Sequence, residues 1–189
     1  MILICLIGIL LAAGILAWLT ARCSAQLPRW FALIAIGVDL VLAARIWAGR
    51  ASSTTQVWLD EVDWNWVPSF GIHFHLAVDG LSLLMLLLTF FLGIMAVLAS
   101  WTEIREQVGF FHFNLMWVLA GIVGVFLAVD LFLFYFAWEL MLIPMYFLIV
   151  IWGHERRVYA PVKFFLFTQF SGLLMLIAIL ALYFIHHQT

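Results

Sequence analysis

The sequence predicts an all-α fold, a polytopic transmembrane helix bundle. Three observations lead to this class: 68% of the 189 residues are hydrophobic, only 10% are charged, and several apolar stretches are long enough to span a bilayer. A spanning helix needs about 20 mostly apolar residues, because the hydrocarbon layer is roughly 30 Å thick and a helix rises about 1.5 Å per residue. A water-soluble domain is excluded, since such domains carry about 25% charged residues.

Apolar runs and the polar breaks between them predict about six spanning helices. The first run lacks a preceding basic segment and is too long for the core of a signal peptide, so we expect it to remain in the membrane. The predicted helices cover residues 2–20, 30–48, 80–100, 109–129, 131–151 and 162–185.

The segment between the second and third helices, residues 49–79, is predicted to lie on the membrane surface. It contains several aromatic residues and the alternating stretch FGIHFHLAV. Aromatic side chains favour the membrane interface, and a period of two is typical of a strand. We therefore expect an interfacial loop or a short hairpin here. The aromatic residues concerned are Trp58, Trp64, Trp66 and Phe70.

Basic residues are distributed unevenly between the two ends of the predicted bundle. Loops rich in lysine and arginine stay in the cytoplasm, so the richer end is predicted to be cytoplasmic. The N-terminus and residues 49–79 are then outside. The richer end holds Arg22, Arg29, Arg105, Arg156, Arg157 and Lys163, and the other end holds Arg45 and Arg50.

Several classes of ligand are not expected for this chain. A net charge of −2 without a basic run argues against nucleic-acid binding. Cys5 and Cys23 have no metal-binding or redox spacing, and no nucleophile motif or phosphate-binding loop occurs. His112, near the start of the fourth helix, is expected at the interface rather than as a metal ligand. The sequence therefore predicts neither a metal nor a cofactor in this chain.

Glu139 is the most informative residue, because it lies inside the fifth predicted helix. It is roughly 12 Å from the helix start at Leu131. A charge at mid-bilayer costs about 2.5–3.5 kcal/mol, so such an acid requires a partner, water or a proton. If a cationic partner moves, the acid can alternately hold and release a proton, as a proton relay requires. A structural acid kept neutral by protonation or one hydrogen bond is the alternative.

Three residues of the same helix are candidates to support Glu139. Helical spacing places Tyr135 and Tyr146 on its stripe, so that two phenol groups face the same interior path. Pro144 has no N–H to bond the carbonyl of Leu140, which predicts a kink or local hydration one residue after the acid.

The start of the sixth helix carries Lys163, for which two positions are open. Its side chain either extends to the cytoplasmic interface or turns inward toward Thr168 and Gln169. Asp79 and Asp130 precede the third and fifth helices, where a side-chain oxygen can accept hydrogen bonds from free backbone N–H groups, and we expect both to be N-caps.

Asp39 is the second acid predicted inside a span. Arg45 lies six residues further on and not on the same helical face, so the two do not pair within the helix. We expect Asp39 to form a hydrogen bond between helices, with a functional role as the alternative.

Three stretches, FFHFNLMW, VDLFLFYFAWELMLIPMYFLIVIWGH and AVDGLSLLM, together resemble the subunit M family of bacterial respiratory complex I, the proton-pumping NADH:quinone oxidoreductase. The resemblance extends over all 189 residues and includes PRWFALI and KFFLFTQFSGLLMLIAIL. The wider antiporter-like family includes subunits L and N and the Mrp-type cation/proton antiporters. The form WELMLIPMYFLI, with its proline, is similar to subunit M.

The resemblance implies a subunit of fourteen helices with two inverted five-helix repeats, the first made of helices four to eight. Residues 109–189 would begin that repeat without completing it. The family's fifth-helix glutamate falls on Glu139, where it pairs with a lysine of a broken seventh helix in a proton half-channel. That lysine would lie beyond Thr189, so we expect an N-terminal portion of the subunit, whether truncated, a partial reading frame or one piece of a split subunit.

The resemblance also implies the biological setting. It predicts proton translocation in a bacterial inner membrane, with a periplasmic N-terminus and antiporter-like subunits of the L and N type as partners. Electron transfer, with its quinone, flavin and iron–sulfur groups, would belong to other subunits. Two alternatives remain: a subunit of a multi-protein Na⁺/H⁺ antiporter, or a truncated structural scaffold without transport activity.

Overall fold

The computed structural model describes residues 1–24, 26–49, 58–67, 71–153 and 159–188. Within these ranges it contains six helices long and apolar enough to cross a membrane, which confirms the predicted multi-pass bundle. Four residues used above, Arg50, Phe70, Arg156 and Arg157, lie outside the described ranges. The helices are α1 (Ile2–Thr20), α2 (Leu27–Gly49), α3 (Gly80–Glu103), α4 (Val108–Leu127), α5 (Leu131–Trp152) and α6 (Tyr159–Gln188), and the strands are β1 (Asp60–Val67) and β2 (Ile72–Val78).

Two helices begin three residues before their predicted starts, and each has a proline in its first turn. Pro28 is the second residue of α2 and Pro161 the third residue of α6. Proline is tolerated there because the first N–H groups of a helix have no partner within the helix. The missing donor therefore costs nothing, and the helix extends through the proline.

Helices α1 to α4 form a closed bundle with α4 in contact with α1, α2, α3 and α5. Glycines allow close approach between helices. A Cβ on Gly93 would lie 3.0 Å from Leu119 Cδ1 and 3.4 Å from Ile36 Cδ1. The core is filled by large aliphatic and aromatic side chains that are fully buried, among them Leu3, Leu6, Leu10, Ile36, Phe90 and Met116.

Strands β1 and β2 form an antiparallel hairpin that covers one end of the bundle, which we call the hairpin end; the opposite end is the loop end. One face of the hairpin is apolar and buries Val62 and Leu76. The other face is polar, and His73 and His75 pair there with carboxylates at 2.9 and 2.7 Å. Gly71, at φ +63°, precedes β2 in a conformation that favours glycine. Of the two forms expected for this segment, an interfacial loop or a short hairpin, the described residues form the hairpin.

Helices α5 and α6 pack at the side of this bundle and are far more open. In the most apolar stretch of each helix, 17% of the residues of α5 and 6% of those of α6 are buried, against 33–56% for α1 to α4. α5 lies against α4 where Gly121 and Gly124 leave room: a Cβ on either would come within 2.9 Å of a side chain of α5. α6 packs mainly on α5. The site therefore lies at the edge of the bundle.

Candidate functional site at Glu139

The start of α5 is fixed by Asp130, which sets the depth of Glu139. Asp130 Oδ1 accepts hydrogen bonds from the N–H groups of Phe132 and Leu133 at 2.8 and 3.1 Å, so it caps the helix as predicted. Asp130 Oδ2 also accepts from the N–H of His73 at 3.4 Å, which ties the helix start to the hairpin. Glu139 then lies roughly 12 Å along the helix, near its middle.

The carboxylate of Glu139 lies between α5 and α6, at the position of Gly172. Gly172 is buried, and a Cβ built on it would overlap Glu139 Oε1. The absence of a side chain at this position therefore creates the space that the carboxylate occupies. Glu139 itself is half-buried and faces a neighbouring helix.

One oxygen of this carboxylate has no hydrogen-bond donor. Glu139 Oε1 is buried and unpartnered among the residues that the structure describes. The salt bridges found in those residues are the two histidine pairs of the hairpin, so no cation there pairs with Glu139. An unsatisfied buried polar group costs about 1–3 kcal/mol, and more when charged. The site therefore favours a proton, a water molecule or an additional cationic partner.

Tyr135 is the supporting residue that the structure brings to Glu139. It lies one turn earlier on α5, and its phenol interacts with the carboxylate. Its Cε2 is 4.0 Å from the position that a Cβ on Gly172 would take. Tyr146 is oriented differently, because its ring packs against Phe165 of α6 at 5.6 Å between centroids. Glu139, Tyr135 and Gly172 therefore form one cluster without Tyr146.

For the other supporting residues, the described part of the chain shows no hydrogen bond to Glu139. Pro144 is buried within α5, which continues through it as one helix. Lys163 is exposed, with Nζ 5.7 and 5.9 Å from the ring centroids of Tyr159 and Phe167, so its side chain takes the outward of the two predicted positions. Gln169 is half-buried on α6, one turn before Gly172.

Gly172 was not recognised as a site residue from the sequence. Read alone, it is one of several small residues that allow helices to pack closely. Its role becomes visible only when α6 is placed against α5, because the two residues are 33 positions apart in the chain. A glycine in the middle of a spanning helix, in a chain with an intramembrane acid, is the signal that could have suggested it.

The hydrogen bond between helices that was predicted for Asp39 is not formed within the described residues, and its functional role stays a prediction. The residue is fully buried in α2, and neither of its oxygens has a hydrogen-bond partner in the described part of the chain. One turn earlier on α2, Ile36 lies beside Gly93 of α3. Asp39 is therefore enclosed in the bundle without a donor among the described residues.

His112 is also placed differently from the prediction, which located it at the interface. It is fully buried, and its Nδ1 lies 2.8 Å from the carbonyl oxygen of Val108, while Nε2 has no partner among the described residues. Burial follows from the central position of α4, which is covered on several sides. In the ranges described, no three His, Cys, Asp or Glu side chains group as metal ligands.

A family model for the transmembrane part of NADH:quinone oxidoreductase and Mrp antiporter subunits matches residues 128–189, which include Glu139 and Gly172. NADH-quinone oxidoreductase subunit M of Escherichia coli K12 is 54% identical over 186 residues, 93% of this chain and 36% of the relative. The same subunit of Pseudomonas aeruginosa is 50% identical over 201 aligned positions, 100% of this chain and 40% of the relative. The chain thus spans well under half the length of these relatives.

Two solved structures have a similar fold. A chain of respiratory complex I from Thermus thermophilus with bound NADH superposes with a TM-score of 0.78 at 24% identity, over 95% of this chain and 35% of that chain. A chain of an archaeal membrane-bound sulfane sulfur reductase gives a TM-score of 0.75 at 22% identity, over 94% and 27%. At these identities the likeness concerns the fold alone.

Proposed function

The chain belongs to the NADH-quinone oxidoreductase subunit M family, and from that premise we propose that it contributes to proton translocation with Glu139 as a proton-binding group. The observation that carries the proposal is the carboxylate itself. It lies in the middle of a spanning helix, in space left by Gly172, with one buried oxygen that has no donor in the described residues.

The proposed chemistry is the transfer of a proton to and from the Glu139 carboxylate, with no other bond made or broken. A carboxylate with an unsatisfied oxygen takes up a proton in a medium of low dielectric constant, and releases it when a cation approaches. The proposal places that cation in the part of the relatives that this chain does not span. The phenol of Tyr135 lies beside the carboxylate and is a hydroxyl group that can pass on a hydrogen bond.

The biological setting is part of the proposal. The chain would work in a bacterial inner membrane, with its N-terminus in the periplasm, beside antiporter-like subunits of the L and N type. NADH oxidation and quinone reduction, with their cofactors, would take place in other subunits. Residues 109–189 would form the beginning of the first inverted repeat.

The test uses the assembled oxidoreductase that carries this chain in its full-length subunit. Glu139→Gln removes the titratable group and keeps its size, so we expect NADH-driven proton pumping into inverted membrane vesicles to be abolished or strongly reduced. Glu139→Asp retains a carboxyl group and should have a milder effect. A pH-sensitive dye measures pumping, and NADH oxidation is followed in parallel.

Glu106→Gln is the matched control, because Glu106 is an exposed acid in the loop before α4. It removes the same charge and should leave pumping unchanged. Pumping at the wild-type ratio in a normally assembled Glu139→Gln complex would refute the proposed role.

A second function is favoured by one observation, since the matching family model covers Mrp antiporters as well as NADH:quinone oxidoreductases. In that case the chain would serve a Na⁺/H⁺ antiporter. Affinity purification separates the two: flavin- and iron–sulfur-containing subunits in the complex support the oxidoreductase, while only hydrophobic partners support the antiporter. A chain without transport activity, a structural scaffold, would leave pumping unchanged in every Glu139 variant.

A further inference from the structure

A second polar site lies at the loop end of the bundle, where α1 ends and α4 begins. A cavity of about 600 Å³ opens there between the two helices. Its walls include two arginines from different loops, an aromatic side chain of α1 and the first turn of α4. These residues are Arg22, Arg105, Trp18, Val108, Gly109 and Phe110.

The cavity is positively charged. Arg22 and Arg105 are both exposed, and neither forms a salt bridge within the described residues. Glu103 and Glu106 flank Arg105 in the chain, but no acid lines the cavity. Two guanidinium groups therefore face the same space without a carboxylate of their own.

The start of α4 adds hydrogen-bond donors to this charge. The first backbone N–H groups of a helix have no partner within the helix, and the three residues that carry them in α4, Val108, Gly109 and Phe110, line the cavity. The N-cap residue, Gln107, forms no side-chain cap. The helix dipole adds partial positive charge at the same place, which favours an anion.

Gly109 explains why Arg22 reaches this helix terminus. A Cβ on Gly109 would overlap Ala21 Cβ and lie 2.8 Å from the carbonyl oxygen of Ala17. The glycine therefore allows the last turn of α1 to contact the first turn of α4. Arg22 follows Ala21 directly, so the same contact carries its side chain to the start of α4.

The surroundings favour a lipid over a free ion. The site lies at the end of two spanning helices, at the level of the membrane interface, where tryptophan is enriched. Trp18 is 53% exposed, and its ring lies 6.5 Å from Phe110 and 5.8 Å from Phe113. These rings form an apolar wall that continues from the arginines along α4 into the membrane.

We propose that this cavity binds the phosphate group of an anionic phospholipid, held by Arg22, Arg105 and the first N–H groups of α4, with an acyl chain along Trp18 and Phe110. Guanidinium groups recognise phosphate oxygens through paired hydrogen bonds, and basic pockets between spanning helices bind anionic headgroups. The proposal is independent of the proton-binding role of Glu139.

The test measures phospholipid binding to the assembled complex that contains the full-length subunit. The purified complex is delipidated and exchanged into phosphatidylcholine vesicles with or without phosphatidylglycerol, and bound lipid is counted by native mass spectrometry. Arg22→Gln together with Arg105→Gln should weaken phosphatidylglycerol binding about 25-fold, at roughly fivefold per arginine. Arg22→Lys with Arg105→Lys keeps the charge and should have an intermediate effect, which also tests the site if the first variant fails to assemble.

Arg45→Gln is the matched control, because it removes one positive charge at the hairpin end. It should leave phosphatidylglycerol binding unchanged. Equal retention of phosphatidylglycerol by the double glutamine variant, or equal retention of phosphatidylcholine and phosphatidylglycerol by the wild type, would overturn the proposal. Complete displacement of the lipid by inorganic phosphate would likewise overturn it in favour of a free-phosphate site.

Discussion

The closed bundle of α1 to α4 and the open pair of α5 and α6 each hold one acid near the middle of a helix, in different surroundings. Asp39 is fully buried, and both of its oxygens are unpartnered in the described residues. Glu139 is half-buried beside Gly172 of α6. Only 6% of the residues in the most apolar stretch of α6 are buried among the described residues. The first acid is enclosed by the closed bundle, and the second lies at the edge of the described helices.

This difference shows that an acid in a spanning helix is not by itself a functional site. Exchange of a proton requires a route by which water or a cation reaches the group, and a closed apolar core provides none. At the α5–α6 edge, Gly172 leaves the space that the Glu139 carboxylate occupies, and the carboxylate lies between two helices instead of inside the closed bundle. The packing around each acid therefore distinguishes their proposed roles.

Substitution of Gly172 is expected to have the largest effect on pumping, and it tests whether the packing around Glu139 matters. Gly172→Val fills the space that the Glu139 carboxylate occupies, so the group must move by about 1 Å or more. Because small displacements of a reacting group reduce rates severely, we expect NADH-driven pumping in the assembled complex to fall about tenfold. Gly37→Val is the matched control, since a Cβ on Gly37 meets nothing within 4 Å. Equal pumping in both variants would show that the α5–α6 contact is not needed.

Asp39 tests the closed side of the comparison. Asp39→Val removes two unpartnered oxygens from the core, so the free energy of unfolding should rise by about 1 kcal/mol, measured by thermal or denaturant unfolding of the subunit. Asp39→Asn keeps a polar group there and should bring no such gain. Pumping should be unchanged in both variants. A loss of pumping as large as that expected for Glu139→Gln would mean that the enclosed acid also takes part in proton transfer.

The most local effect is expected at Asp79, whose Oδ1 accepts a hydrogen bond from the N–H of Ser82 at 2.7 Å, so that it caps α3 as predicted. This bond lowers the pKa of Asp79. The stabilisation it gives is complete above the ordinary carboxyl pKa and is lost as the pH falls through the lower value of the folded state.

Hydrogen exchange of the first turn of α3 measures this effect. Asp79→Ala should cost about 1 kcal/mol at neutral pH. Asp79→Asn keeps an oxygen acceptor, so it should retain most of the cap and lose the pH dependence. If exchange in the asparagine variant becomes faster at low pH by as much as it does in the wild type, a group other than Asp79 is responsible for the pH dependence.

The sequence by itself determined the six helices, the two aspartate caps and the position of Glu139 along α5, and it limited residues 49–79 to an interfacial loop or a short hairpin. These features depend on properties of single segments: the length of an apolar run, the alternation of side chains along a strand, and a polar residue just before a helix. The prolines in the first turns of α2 and α6 moved only the helix starts, because their effect is also local.

Only the tertiary structure decided which face of each helix meets a neighbour. It placed Gly172 against Glu139, turned Tyr146 toward Phe165, buried His112 and left Asp39 without a donor in the part of the chain that the structure describes. The physical reason is that these helices are apolar on nearly all sides, so hydrophobicity sets their depth in the membrane but not their rotation about their own axes. Rotation is set by the fit of glycines and large side chains between helices that are distant in the chain.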